Sequence, residues 1–267
     1  NNPQTNAFRL IFGEGDELPG LIVDIYNRTA VIQCHTIGMY NAVNDIAEAL
    51  DSIAELPLDC IYNKSSDTIG KQTGLQIADT FVKGALTSQQ IMENGHLFEV
   101  NWVEGQKTGF FLDQRDNRLL LGRYAKDKSI LNAYCYSGGF SIYALKAGAK
   151  EVHSVDASEK AIRLVKKNLE INNLDSPKNE VVVEDVRTYL QHCPMYDLII
   201  LDPPAFAKHY SEKNQAIKGY RNINAAAIHK LNKGGVLFTF SCSQAMDRDL
   251  FQSTVVSAAI QAGRQCR

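Results

Sequence analysis

The 267-residue chain is long enough for one large domain or two modest ones, and 45% hydrophobic with 22% charged residues is an ordinary globular balance. No apolar run approaches the roughly 20 residues of a membrane span, and the opening NNPQTNAFRL lacks a signal-peptide pattern, so the expected setting is cytoplasmic and without a membrane partner. A formal charge of −2 excludes a molecule that is basic all over, and six cysteines without C-x-x-C spacing exclude a zinc-ribbon pattern, so no metal is expected.

In chain order, residues 7–103 read as strand-rich. FRLIF (8–12), GLIVDIY (20–26), TAVIQCH (29–35), DCIYN (59–63) and HLFEVNW (96–102) are β-like runs, with ELPG and YNR supplying turns. One helix interrupts them, because Val43, Ile46, Ala47, Leu50 and Ile53 recur at helical spacing. Glycine-punctuated VEGQKTG places a boundary near 103–108. The expected division is a small α+β domain over 1–104, with RNA binding as a candidate role, and a second domain over 105–267.

Beyond the boundary the pattern alternates. A helix over 113–124 leads to a strand at 129–134, a helix at 139–147, a strand at 151–155 and a long helix at 158–172. Then come VVVED (181–185), a short helix, YDLIILD (196–202), a helix near 221–232, GGVLFTFSC (234–242) and a helix over 248–262. Strands that are apolar on both faces and alternate with helices predict an α/β fold, a mostly parallel Rossmann-like sheet covered on both sides.

The chemistry gathers where strands end. ILNAY runs into CYSGGFS (135–141), where Gly138 and Gly139 let a ligand approach the backbone. The next strand ends in VDAS, and Asp156 there suits ribose hydroxyls of an adenosyl group. Asp185 repeats the placement one strand over, where an adenine amino group could be bonded. The fourth strand ends in DPPAF (202–206). A nicotinamide dinucleotide stays open at this point, although G-x-G-x-x-G is absent and such a ligand would not explain DPPAF.

NAYCYSGGFS, VDAS, EDV and LDPPAF resemble the successive motifs of class I methyltransferases. KTGFFLDQRDNR (107–118), FSCS (240–243) and GEGDELPGLIVDIY (13–26) are more specifically similar to the 23S rRNA cytosine-C5 methyltransferases that carry an N-terminal PUA domain. The resemblance implies S-adenosyl-L-methionine as cofactor. It implies cofactor contacts from Tyr136, Ser137, Gly138, Gly139, Phe140, Asp156, Ala157, Ser158, Asp185, Val186 and Asp202. It also implies a lid made of Phe110, Gln114 and Arg115. Residues 1–267 would correspond to that family's chain without its PUA domain and without the two strands that normally follow the last helix. A trimmed N-terminus and a chain continuing past Arg267 are therefore expected, because strand 235–241 would otherwise be a bare apolar edge.

Cytosine C5 is a poor nucleophile. A thiolate attacking C6 turns C5 into an enamine carbon able to take a methyl group, while a carboxyl group near N3 stabilises the developing charge. Asp202 and Cys242 end strands that neighbour each other in a class I sheet, so they are the expected catalytic pair. A strand cysteine alone reads as a buried thiol, and it is the FSCS resemblance that makes Cys242 the nucleophile. Cys135 competes but should face the cofactor.

DPPAF also resembles the DPPY-type motif of amino-methylating enzymes, in which Pro203, Pro204 and Phe206 would hold the base. Guanine N-methylation is therefore an alternative, and an inactive RNA adaptor or a methyltransferase acting on small molecules or protein are others. The segment 207–222 interleaves Lys208, His209, Lys213, Lys218 and Arg221 with Tyr210 and Tyr220, and reads as a loop for phosphates and unpaired bases of ribosomal RNA. A homodimer is left open.

Overall fold

The computed structural model describes residues 3–74, 76–86, 88–207 and 210–267, omitting the side chains of 71–73 and 210. The chain divides into two compact units, Asn1–Arg115 and Asp116–Arg267.

In the first unit, β1 (Ala7–Phe12), β2 (Leu21–Tyr26) and β3 (Thr29–Cys34) form an antiparallel meander. The short helix α1 (Ile37–Asn41) and the longer α2 (Val43–Asp51) then cross over to β4 (Cys60–Asn63), which pairs parallel to β3. Helix α3 (Ser66–Thr73) leads to β5 (Thr80–Lys83) at the sheet edge, and β6 (Gln90–Glu93) and β7 (His96–Glu99) make a separate hairpin. Val43, Ala47 and Leu50 bury one face of α2 against Val23, Ile32 and Ile61 of the sheet. Neither α3 nor β5 nor β6 is expected from the sequence. SDTIGKQT offers a single fully buried apolar side chain, Ile69, too little to set a helical period.

This unit extends some ten residues past the expected boundary, for a polar reason. Asp24 is fully buried and accepts from Arg9 (Nε 2.8 Å, Nη2 2.9 Å) and from the Thr108 hydroxyl (2.6 Å). Tyr26 Oη lies 2.9 Å from Thr108 Oγ1, accepts from the Phe110 N–H at 3.2 Å and donates to its carbonyl at 3.3 Å. Lys64 donates to the Gly105 carbonyl at 2.5 Å. Buried polar groups must be paired, and here the partners of the sheet's buried side chains are supplied by residues 105–110.

Helix α4 (Arg115–Ala125) leads into the second unit, which then alternates: β8 (Ser129–Ala133), α5 (Gly139–Lys146), β9 (Glu151–Asp156), α6 (Glu159–Ile171), β10 (Asn179–Val183), α7 (Val186–His192), β11 (Tyr196–Leu201), α8 (Lys213–His229), β12 (Leu231–Thr239) and α9 (Arg248–Gln261). The sheet order is β10-β9-β8-β11-β12, parallel throughout. Ile130, Val152, Leu198 and Ile200 face Leu121 of α4 and Phe140 and Ala144 of α5. Leu131, Ala133, Val155, Ile199 and Leu201 face Tyr189 of α7 and Ile223 and Ala227 of α8. The expected Rossmann-like arrangement is thus present, helices on both faces of a five-stranded parallel sheet. Among the described residues no helix is long and apolar enough to cross a membrane.

Helix α8 differs from expectation. It begins at Lys213, eight residues earlier than the predicted 221, so more than half of the supposed cationic loop is helical. Ala216, Tyr220, Ile223 and Ala227 bury one stripe of it, while Lys218 and Arg221 stay exposed. The density of cations in 207–222 hides this period from a reading by charge.

Candidate active site

The strand order reverses between β8 and β11, and in an open parallel sheet the crevice at that point, at the carboxyl ends, is where ligands bind. The backbone leaving β8 is unusual. Tyr134 (φ +60°), Tyr136 (φ +47°) and Gly138 (φ +76°) are all left-handed within five residues. For a tyrosine this conformation costs on the order of 1–3 kcal/mol and persists only where the surroundings enforce it. Asp156 does so: its Oδ2 accepts from the Tyr136 N–H (3.0 Å) and its Oδ1 from the Ser158 N–H (2.9 Å). One carboxylate at the end of β9 thereby ties the turn to the start of α6.

The glycines have a packing reason that the sequence does not disclose. A Cβ on Gly138 would lie 3.2 Å from Val165 of α6, and one on Gly139 would lie 3.1 Å from the buried Arg118 of α4. Ser137 and Phe140 are also buried. The Ser137 carbonyl accepts from Asn168 Nδ2 at 2.8 Å, and the Phe140 ring stacks on Phe240 with centroids 5.6 Å apart. The turn therefore presents mainly backbone, with Tyr136 half-buried beside it. Beneath it, Asn132, Ser141 and Ser154 form a buried hydrogen-bonded trio linking β8, α5 and β9.

Asp185 is exposed and caps α7, its Oδ1 accepting from the Arg187 N–H (2.9 Å) and the Thr188 N–H (3.1 Å). Ala157 is exposed, as is Ser158, which caps α6 through the Ala161 N–H at 3.3 Å. The Val186 side chain belongs to the core, leaving only its backbone to a ligand. Carboxylates at the ends of adjacent strands are acceptors suited to hydroxyl and amino donors, so this donor set fits an adenosyl group.

On the other side of β8, Asp202 is half-buried, Pro203 buried and Pro204 exposed. β12 ends at Thr239, three residues before the predicted end, so Cys242 sits in a loop. Its exposed Sγ donates to the Pro203 carbonyl across 3.7 Å. Ser243 fastens the two loops: its Oγ accepts from the Ala207 N–H (3.4 Å) and meets Tyr220 Oη at 3.1 Å. Cys135, by contrast, is buried, and burial followed by the Asp156 charge holds its thiol well above the ordinary range. Burial likewise raises Cys193.

Tyr220, expected to stack on substrate, is fully buried; its ring packs edge-on against Phe206 (4.7 Å) and Phe251 (5.5 Å). It is a core residue, because the helical register of α8 turns it inward. Lys218 and Arg221 are exposed on the opposite face, and Lys208 lies outside the described residues. In the first unit, the Phe110 ring is buried against Phe98 (5.1 Å), and Gln114 ends a single 3-10 turn. Arg115 pairs with buried Glu93 at 3.1 Å and donates to the Ala7 carbonyl. Within their own unit, Phe110 and Arg115 thus serve packing and ion pairing rather than presenting a free surface.

Residues 76–261 match the family model of S-adenosylmethionine-dependent methyltransferases. The chain belongs to that family. It is 41% identical over 271 residues to ribosomal RNA large subunit methyltransferase I of Tolumonas auensis, covering 99% of this chain and 68% of the relative. The Pseudoalteromonas atlantica protein of the same name is 42% identical, with 97% and 66% covered. This methyltransferase therefore spans about two thirds of the length of those relatives. The solved structure of the methyltransferase SMU.776 complexed with SAH superposes with a TM-score of 0.82 at 26% identity, covering 96% of this chain and 66% of that one. S-adenosylmethionine is the methyl donor, and it supplies an electrophilic methyl carbon when bound.

Asp156→Ala is expected to weaken S-adenosylmethionine binding to this methyltransferase by about 1–3 kcal/mol, through lost charge-assisted hydrogen bonds and a loosened Tyr136 turn. Calorimetry on the purified variant tests this, and unchanged affinity would remove Asp156 from the site.

Proposed function

We propose that the protein methylates carbon 5 of a cytosine in 23S ribosomal RNA, with Cys242 as covalent nucleophile and Asp202 as its acidic partner. The observation that carries this reading is the exposed Cys242 thiol held against the Pro203 carbonyl, at the ends of the paired strands β11 and β12. Guanine N-methylation gives that thiol no task. The relatives named for ribosomal RNA support the substrate class.

In this mechanism the Cys242 thiolate adds to C6, and the C5–C6 π pair moves to C5. The Asp202 carboxyl group, hydrogen-bonded at N3, stabilises the charge that develops on the ring. C5 then bonds the methyl carbon, and the electron pair of the broken S–CH3 bond stays on the donor sulfur. Transfer of the C5 proton to a base restores the double bond and expels Cys242 as thiolate. Tyr136, Gly138, Asp156 and Asp185 hold the cofactor from the other side of β8, with the backbone of Gly139 beside them.

Charge distribution suggests where RNA is gripped. Residues 1–115 carry seven Lys and Arg against fifteen Asp and Glu, a net −8, whereas residues 116–267 carry 21 against 15, a net +6. A local basic field attracts phosphates regardless of total charge. We therefore assign the phosphate contacts to the methyltransferase unit, including Lys218 and Arg221, instead of the strand-rich unit. Incubating unmodified ribosomal RNA with the protein and labelled S-adenosylmethionine, followed by nucleoside mass spectrometry, should yield 5-methylcytidine. A methylated guanosine as the product would refute the assignment.

A further inference from the structure

We propose that Arg187, through the plane of its guanidinium, is the stacking platform for an unpaired base of the RNA substrate. This assignment rests on the RNA-methylating reading above. Phe206 is the aromatic that the DPPAF resemblance offers to the base, yet its ring is already engaged on several sides. It sits where Gly219 lacks a side chain, since a Cβ there would come within 2.9 Å of its ring. Tyr220 packs edge-on against it. The Arg187 guanidinium lies over the ring, 5.4 Å from its centroid.

Arg187 itself is exposed, and it is held in place by three different elements. Its backbone N–H is fixed by the Asp185 cap, its guanidinium charge lies near the half-buried Tyr134 that follows β8, and its guanidinium carbon lies over the Phe206 ring. It stands between the end of β10, where Asp185 is, and the Asp202–Phe206 loop. A guanidinium lying over an aromatic ring keeps a face and several N–H donors for a ligand, and bases unstacked from RNA do lie on arginine planes. Lysine has the charge without the plane.

The test uses the full chain with in-vitro-transcribed large-subunit ribosomal RNA, measuring kcat and KM for RNA and, by calorimetry, the Kd for S-adenosylmethionine. Arg187→Ala and Arg187→Lys should both raise the RNA KM by about tenfold, the scale of one lost stacking contact, while the cofactor Kd stays within about twofold. Retained cofactor binding also reports that each variant is folded. A wild-type KM for Arg187→Lys would overturn the platform, as would a cofactor Kd that moves in parallel with the RNA KM. If the wild-type protein methylates no ribosomal RNA, the platform and the function proposed above fall together; if it does and the variants are unaltered, only the platform falls.

Discussion

Cys242→Ala should lose methyl transfer to RNA by a factor on the order of 10^4 or more, while its S-adenosylmethionine affinity stays close to wild type. The asymmetry follows from geometry. Cys242 lies beside the Asp202–Pro203 loop beyond β11, whereas Asp156 and Asp185 close the opposite side of β8. Its exposure makes truncation structurally mild, because the buried neighbour Ser243 carries the bonds that hold the loop. Wild-type protein given RNA containing 5-fluorocytosine should form an adduct that survives denaturant, since fluorine cannot leave C5 as a proton would. The adduct should be missing from Cys242→Ala and present in Cys135→Ala, whose buried thiol takes no part. Full turnover by Cys242→Ala would end the covalent mechanism.

Asp24→Ala should destabilise the strand-rich unit by about 3 kcal/mol. Removing one partner of a buried pair generally costs about 3–5 kcal/mol, and the lower end applies because the Arg9 side chain is one-third exposed and can turn to water. What cannot reach water is the remainder of the network. Thr108 loses the acceptor that orders its hydroxyl, Tyr26 loses an ordered partner in that hydroxyl, and the anchor of residues 105–110 is loosened. Chemical denaturation monitored at Trp102, which is buried and stacked on Tyr26 with centroids 6.2 Å apart, reports on this unit directly. A midpoint unchanged by Asp24→Ala would mean that the network adds nothing to stability.

Much of the site is legible in the sequence because strand ends are. A parallel strand buried on both faces is a mainly apolar run of five or six residues, its few polar members paired inside as Asn132 and Ser154 are, and carboxylates and glycine turns gather where the run emerges from the sheet. Reading where ILNA, HSVD, VVV and LIIL stop is thus enough to locate the glycine turn, Asp156, Asp185 and Asp202 at one edge. Because Phe240 continues the apolar run, the sequence pattern carries β12 three residues beyond its end at Thr239. In the structure Phe240 leaves the strand and stacks on Phe140, 100 residues earlier in the chain.

The sequence by itself determined the alternating architecture and the edge at which its glycine turn and strand-end carboxylates gather, because hydrophobic period and strand termini are local properties. Only the tertiary structure decided which side chains at that edge remain available. Tyr220 reads as an RNA-stacking residue among cations, but it turns inward because Phe206, Ser243 and Phe251, from separate segments, enclose it. Gly139 reads as an opening for a ligand, yet its missing side chain also makes room for Arg118. Arg187 gives no local signal and becomes a candidate only when folding sets it over Phe206, nineteen residues away. Burial and stacking depend on partners brought together by the fold, and no period within a short stretch of chain encodes them.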